Sequence, residues 1–306
     1  MLIPIPLHDE FYKGHVGRIQ TLNSLPDYQR TNYDIRNLAR SKGAPREGEP
    51  TIVSLARLCQ IPLEEYLQFN TLLPYHSFYQ HKKSHVSDMR WSTGTISRCG
   101  TLPCRSAYYC EQCVRGDLRR HGFSYWRRIH QLPGMMWCLK HRSPLREYTA
   151  AFPFDVLPDK VINRFGKSAQ QGSSPLAVRR FLEISALLLE QRKLITESDF
   201  KLRLNKLARS VNLRVSQRGS RLLPSDVAMK VFPSDWLVSV FPRIRGKQYA
   251  EYFPAIDAVT RVSSWNSATA GFIIVLSILF DRADDAIAWL FDDSPARISL
   301  PLQSIE

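Results

Sequence analysis

The run from Tyr108 to Leu145, YYCEQCVRGDLRRHGFSYWRRIHQLPGMMWCLKHRSPL, organises the reading of the whole chain. It places Cys110 and Cys113 with two residues between them and, after twenty-four intervening residues, Cys138 and His141 with the same gap. Ligands two residues apart can sit on one tight turn and point at one ion. Two such knuckles supply the four tetrahedral ligands of a closed structural zinc site. Thiolate and imidazole suit zinc, and a full ligand set leaves no position for a substrate water. The expectation is one structural Zn2+ held by Cys110, Cys113, Cys138 and His141. Redox use of the C-x-x-C pair would want a strand-to-helix context, of which the pattern gives no sign.

Composition narrows the class further. The 306 residues are 44% apolar, long enough for a sizeable core and room for two or three domains. No secretory leader is visible, because charges from Asp9 onward interrupt the apolar start. The longest apolar run, Ala270–Phe280, is about half of a bilayer span and reads as a buried core helix, so no membrane role is expected. Five of the six cysteines lie between Cys99 and Cys138, and with no leader they read as metal ligands in a reducing cytoplasm. Cys99 and Cys104 have no matching knuckle and stay outside the metal set.

Charge points to a partner. Lys and Arg number 42 against 28 acidic residues, a net +14, with a pI near 9.7. Such an excess concentrates polyanions and marks a nucleic-acid partner. Arg115, Arg119, Arg120, Arg127, Arg128, Lys140 and Arg142 crowd around the ligands and are the candidate phosphate contacts, with Tyr125, Trp126 and Trp137 as local core. His130, a lone histidine, reads as a hydrogen-bonded part of the module.

Elsewhere the pattern is helical. Phe11, Tyr12, Val16, Ile19 and Leu22 recur at helical spacing after Asp9, a candidate cap. Arg30–Pro50 reads as a polar loop. TIVSLARLCQIPLEEYLQFN (Thr51–Asn70) reads as two short helices resembling a helix-turn-helix, with Ile52, Leu55, Ala56 and Cys59 on one apolar face and Leu63, Tyr66 and Leu67 on the next. His76–Thr95, which includes His81, Lys82, Lys83 and His85, reads as a solvated basic linker, and Ala151–Ser174 as a second linker. Beyond it come helices over Leu176–Lys193, Phe200–Val211 capped by Thr196, Asp226–Val231, Asp235–Val240, Tyr249–Val262 and Ala268–Phe280. The expected architecture is mainly α: an N-terminal helical segment over residues 1–95, a zinc module over 96–150 and an all-helical C-terminal domain over 175–306.

The Tyr108–Leu145 run also resembles the TniQ/TnsD family of bacterial transposon target-selection proteins. The likeness rests on Cys110, Cys113, Asp117, Gly122, Tyr125, Trp126, His130–Gly134, Cys138, His141, Pro144 and Leu145, and on the opening IPIPLHDEF. Glu111 and Leu139 stand where the family's knuckles carry proline, and Arg142 where it carries glycine. The resemblance implies a non-enzymatic adaptor that sits on target DNA, or on a CRISPR effector complex with its guide RNA, and recruits a TnsC-type AAA+ ATPase. The helical C-terminal part would then offer a second contact or a homodimer interface. The rival expectation is an autonomous sequence-specific DNA-binding protein of the TnsD type. No P-loop, nucleophile elbow or two-metal carboxylate set is present in the sequence to suggest an enzyme.

Overall fold

The computed structural model describes residues 1–43, 49–80, 96, 105–162, 167–168, 175–215, 222–262 and 269–292. The fold is mainly α. The described residues cluster into two compact units, one within Met1–Pro74 and Ser87–Ser173, the other within Tyr75–Val86 and Ser174–Glu306.

The first unit is built on α1 (Tyr12–Leu22), which is buried on nearly every side. Its glycines explain how. A Cβ on Gly17 would lie 1.8 Å from the Phe154 carbonyl oxygen, and one on Gly14 would lie 2.7 Å from Trp126 Cβ, so only bare backbone lets the helix approach both. Asp9 is not the cap the spacing suggested. Phe11 holds the N-cap position with no side-chain bond, while Asp9 takes a left-handed φ of 59° and turns its carboxylate to Arg128. Glu10 and Arg18 form a bidentate ion pair inside the unit, at 2.7 and 2.8 Å. His15 bridges Tyr66 Oη and the Pro4 carbonyl, which ties the extended N-terminus down; its burial favours the neutral ring.

The polar stretch expected to be a loop is instead α2 (Tyr28–Ser41), capped by Asp27, whose side chain accepts from the Arg30 amide at 2.7 Å. Only Thr31, Ile35 and Ala39 are buried on it, one residue per turn at i, i+4 spacing. That stripe is enough because burying Ile35 alone contributes about 2 kcal/mol. The helices α3 (Thr51–Leu58) and α4 (Leu63–Asn70) follow as the spacing predicts, with Ile52, Leu55, Ala56, Tyr66 and Leu67 in the core and α2 packed on α1 and α3. Cys59 is only half-buried, at the turn between them.

Ser106–Tyr109 is a strand, paired antiparallel with Arg146–Thr149 so that Tyr109 faces Arg146. The first half of the expected linker after Ala151 is part of this unit. Phe154, Leu157 and Val161 are buried, the Trp126 indole donates to the Val156 carbonyl at 2.8 Å, and Asp159 accepts from the Ser124 amide and hydroxyl at 3.0 and 2.8 Å. Pro153 and Pro158 punctuate a segment that packs on Trp126 rather than one that runs free.

The second unit surrounds one apolar helix, Thr269–Leu279, whose every residue is buried. Leu176–Glu190, Pro224–Val231 and Ala283–Phe291 pack on it. Glu197–Ser210 opens as expected on Thr196, whose hydroxyl accepts from the Asp199 amide at 3.1 Å. Two expectations fail here. Tyr249–Val262 is not one helix, because Pro254 lacks the amide an interior turn needs; only Pro254–Asp257 and the 3-10 turn Ala258–Thr260 form. The basic linker also has an apolar start: Phe78 is fully buried against Phe200 and Phe272, and Tyr79–Gln80 pairs in parallel with Ile195–Thr196, a small strand pair in a domain expected to be all helical. His81, Lys82, Lys83, His85, Cys99 and Cys104 lie outside the described residues. Among those described, no helix is long and apolar enough to cross a membrane.

Candidate metal centre

The sheet brings the two knuckles together. The Ser106–Tyr109 strand runs straight into Cys110, which takes the N-cap position of the helix Glu111–His121 and places Cys113 in its first turn. On the partner side, Trp137–Cys138 and Ser143–Pro144 form a minimal hairpin with His141 in its turn, and Arg146 follows directly opposite Tyr109. Both ends of the pairing are thereby fixed next to both knuckles. Gln131 adds a false rung, accepting from the Tyr108 amide at 3.0 Å and donating to the Tyr108 carbonyl at 2.8 Å.

The ligand atoms of Cys110, Cys113, Cys138 and His141 all lie within 4.8 Å of one another, with the three thiols buried. His141 Nδ1 faces the sulfurs at 3.4, 3.3 and 3.6 Å, and Cys113 Sγ lies 3.8 Å from Cys138 Sγ. A tetrahedron with bonds of about 2.3 Å to sulfur and about 2.0 Å to nitrogen has edges of roughly 3.5 to 3.8 Å, so these separations suit a metal of zinc's size. The cluster could hold one metal ion. A strand-to-helix context does exist around the C-x-x-C pair, contrary to the sequence reading; what sets it apart from a redox pair is Cys138 and His141 closing on the same point.

The turn that presents His141 carries a local strain. Arg142 sits at φ 51°, in the left-handed region, with its amide donating to the Cys138 carbonyl at 2.7 Å. An L side chain there costs about 1 kcal/mol, and glycine does not incur it. Arg142→Gly is expected to raise the melting temperature of the metal-loaded chain by about 2–4 °C. Thermal unfolding followed by circular dichroism checks this, and an unchanged or lower midpoint would remove the strain argument.

The candidate phosphate contacts fall into three groups. Arg115, Arg119, Arg120, Lys140 and Arg142 are exposed, Arg115 lying 3.7 Å from Glu111. Arg127 is half-buried, paired with Asp117 at 2.6 Å and stacked over the Tyr125 ring at 4.3 Å. Arg128 is the correction. It is 3% exposed, donates to Asp9 at 2.8 Å and to the Gln68 and Thr71 carbonyls, and so cannot meet a phosphate. Its backbone continues the same contact: Phe11 donates to the Trp126 carbonyl at 2.7 Å and Arg128 to that of Asp9 at 2.8 Å, which fastens the N-terminus to the module. His130 is buried, and burial pushes its imidazole down to about 3, a neutral ring without access to solvent.

Asp117 is the residue that sequence reasoning undervalued. It is 4% exposed and lines a concavity of about 340 Å³ together with Arg119, Arg120, Arg127, Lys140 and His141. Its spacing from Arg120 and its place one turn beyond Cys113 were visible in the sequence. Its pairing with Arg127 was not.

Fold and site define a mainly α protein whose first unit is closed by a Cys3His cluster able to hold a metal ion. Residues 1–145, just under half of the chain, match the TniQ family model, so this part of the chain is similar to that family. The comparison with curated proteins finds no match.

Proposed function

We propose that the chain is a non-enzymatic adaptor in transposition target selection, which sits at target DNA, directly or on a CRISPR effector complex, and recruits a TnsC-type AAA+ ATPase. The observation that carries this reading is the TniQ match over residues 1–145, which contains all four candidate ligands. The donor set favours zinc as the ion, in a structural role: three thiolates and one imidazole fill a tetrahedral shell. The exposed cations around the module and the net +14 favour phosphate contact that carries affinity more than sequence information. Helix α4 is a poor recognition helix, since its first turn presents Glu64 and Glu65, carboxylates that repel a DNA backbone.

The test is DNA binding by the purified, zinc-loaded chain across a salt series, with and without a TnsC-type ATPase and ATP. Salt-sensitive binding that strengthens with the ATPase is the expected outcome. Tight binding to one short duplex without the ATPase would favour an autonomous sequence reader instead. Absence of both DNA and ATPase binding would end the adaptor reading.

A further inference from the structure

Helix α2 stands clear of the unit that carries it. Of its fourteen residues only Thr31, Ile35 and Ala39 are buried, a stripe one residue wide. The rest of its circumference is exposed or half-buried. An α-helix with its side chains measures about 10–12 Å across, and the major groove of B-form DNA is about 12 Å wide. A helix enters that groove only where its own protein does not crowd it, and a single buried stripe leaves that room.

Helical geometry sets what lies opposite the stripe. At 3.6 residues per turn Arg30, Tyr33, Asn37 and Arg40, spaced i, i+3, i+7 and i+10, form one outward line roughly 15 Å long. Arg30 and Arg40 are exposed, Tyr33 is 50% exposed and Asn37 is half-buried. Arg30 is held in place: its Nε donates to Asp34 at 3.0 Å and its guanidinium lies over the Tyr33 ring at 5.4 Å. Arg40 has no ion-pair partner among the described residues. Over its length the helix sets Arg30, Arg36 and Arg40 against one carboxylate, Asp34.

What this line holds, and what it lacks, selects the partner. Guanidinium and carboxamide bond the major-groove edges of guanine and adenine two atoms at a time, and an aromatic ring packs on the thymine methyl. A protein groove that receives a helix takes apolar anchors at such spacing, and the line carries no aliphatic residue. An RNA duplex hides its base edges in a deep, narrow major groove that side chains do not read. The excess of cations on α2 complements the phosphates on either side of the groove in DNA. We propose that α2 is the helix this chain lays in the major groove of duplex DNA, with Arg30 and Arg40 on phosphates and Tyr33 and Asn37 between them at base edges. This rests on the nucleic-acid contact within the proposed function and adds the element that meets the bases.

The experiment uses the full zinc-loaded chain and a labelled 24-base-pair DNA duplex carrying 5-iodouracil in place of thymine. The iodine replaces the thymine methyl and so lies in the major groove, where light couples the base to an adjacent aromatic ring. Peptide mapping is expected to find the cross-link on Tyr33. The cross-link is read on the parent chain, so it holds whether or not a variant folds. In anisotropy titrations Arg30→Glu combined with Arg40→Glu is expected to weaken the duplex about tenfold and lower the salt slope by about two, one for each phosphate contact. Arg282→Glu, exposed on the second unit, is expected to stay within twofold. Asn37→Ala removes no charge, so it is expected to weaken binding about threefold with the salt slope unchanged. Cross-links confined to other residues, with Tyr33 unlabelled, would overturn the placement of α2 while DNA binding by the chain stands. If the double charge reversal spares DNA affinity and abolishes binding of a TnsC-type ATPase, α2 faces a protein partner and the proposal fails. A parent chain that binds no duplex at all removes the reading beneath it as well.

Discussion

Removing the metal, or replacing one ligand as in Cys113→Ser, is expected to open the knuckle and lower the stability of the first unit more than any single core truncation. The reason is how little else closes this region. The hairpin that carries Cys138 and His141 has two residues per strand, and isolated pairs of that size are marginal in water. The knuckle helix buries only Cys113, Val114 and Asp117. Structural zinc contributes about 10–16 kcal/mol in small zinc-finger peptides at neutral pH. The core around Trp126 and Tyr109 does not depend on the ion, so part of the unit persists and the expected loss is about 5 kcal/mol or more. Metal analysis is expected to fall from one zinc per chain to near none, because a serine hydroxyl stays protonated at neutral pH and cannot replace thiolate. Thermal unfolding with a strong chelator should reproduce the variant's midpoint. A Cys113→Ser chain that melts like the parent and retains its metal would refute the site. The sign with pH follows from the ligands: each must lose a proton to bind, so acid releases the ion.

What the sequence made legible follows from how local each cause is. The Cys3His cluster was readable because two-residue gaps fix geometry within a single turn, and only the union of two knuckles had to be assumed. The C-terminal helices were readable because Phe181, Ile184 and Leu188, or Leu204, Leu207 and Val211, repeat an apolar stripe along each one. Helix α2 escaped because its stripe is one residue wide and only three residues long and its other faces are polar, while Gly43 and the prolines beyond it suggested a loop. Residues 151–162 escaped for the opposite reason: their punctuation is genuine, but the Trp126 indole and Ser124 bind them from 30 and 35 residues away. The candidate phosphate contacts divide in the same way. Exposure of Arg119, Arg120 and Lys140 follows from the helix and hairpin that carry them, whereas the fates of Arg127 and Arg128 depend on carboxylates reached only by folding.

Arg128 therefore supports the second large effect. Arg128→Met is expected to destabilise the first unit by about 3–5 kcal/mol, the range for breaking one side of a buried ion pair, and to lower its midpoint by 10 °C or so. The methionine keeps the volume but leaves Asp9, a largely buried carboxylate, without its cation and removes a donor from the Gln68 and Thr71 carbonyls. Burial already pushes the Asp9 carboxyl above its ordinary value despite Arg128, and losing the guanidinium pushes it further. A raised carboxyl contributes stability that is present below the unfolded value near 3.8 and is lost as pH rises through the folded one. The variant's deficit should accordingly be largest at neutral pH and shrink toward acid. Asp9→Asn added to Arg128→Met should recover part of the loss, because asparagine tolerates the left-handed φ of 59° and carries no charge to strand. Denaturant unfolding of the four chains at two pH values measures the coupling directly. If Arg128→Met instead leaves the midpoint unchanged and weakens DNA binding, the guanidinium is a surface contact after all. If it unfolds the unit while the folded fraction binds DNA normally, the role of Arg128 is to hold the N-terminus on the module, and the module's affinity for phosphate rests on its exposed cations alone.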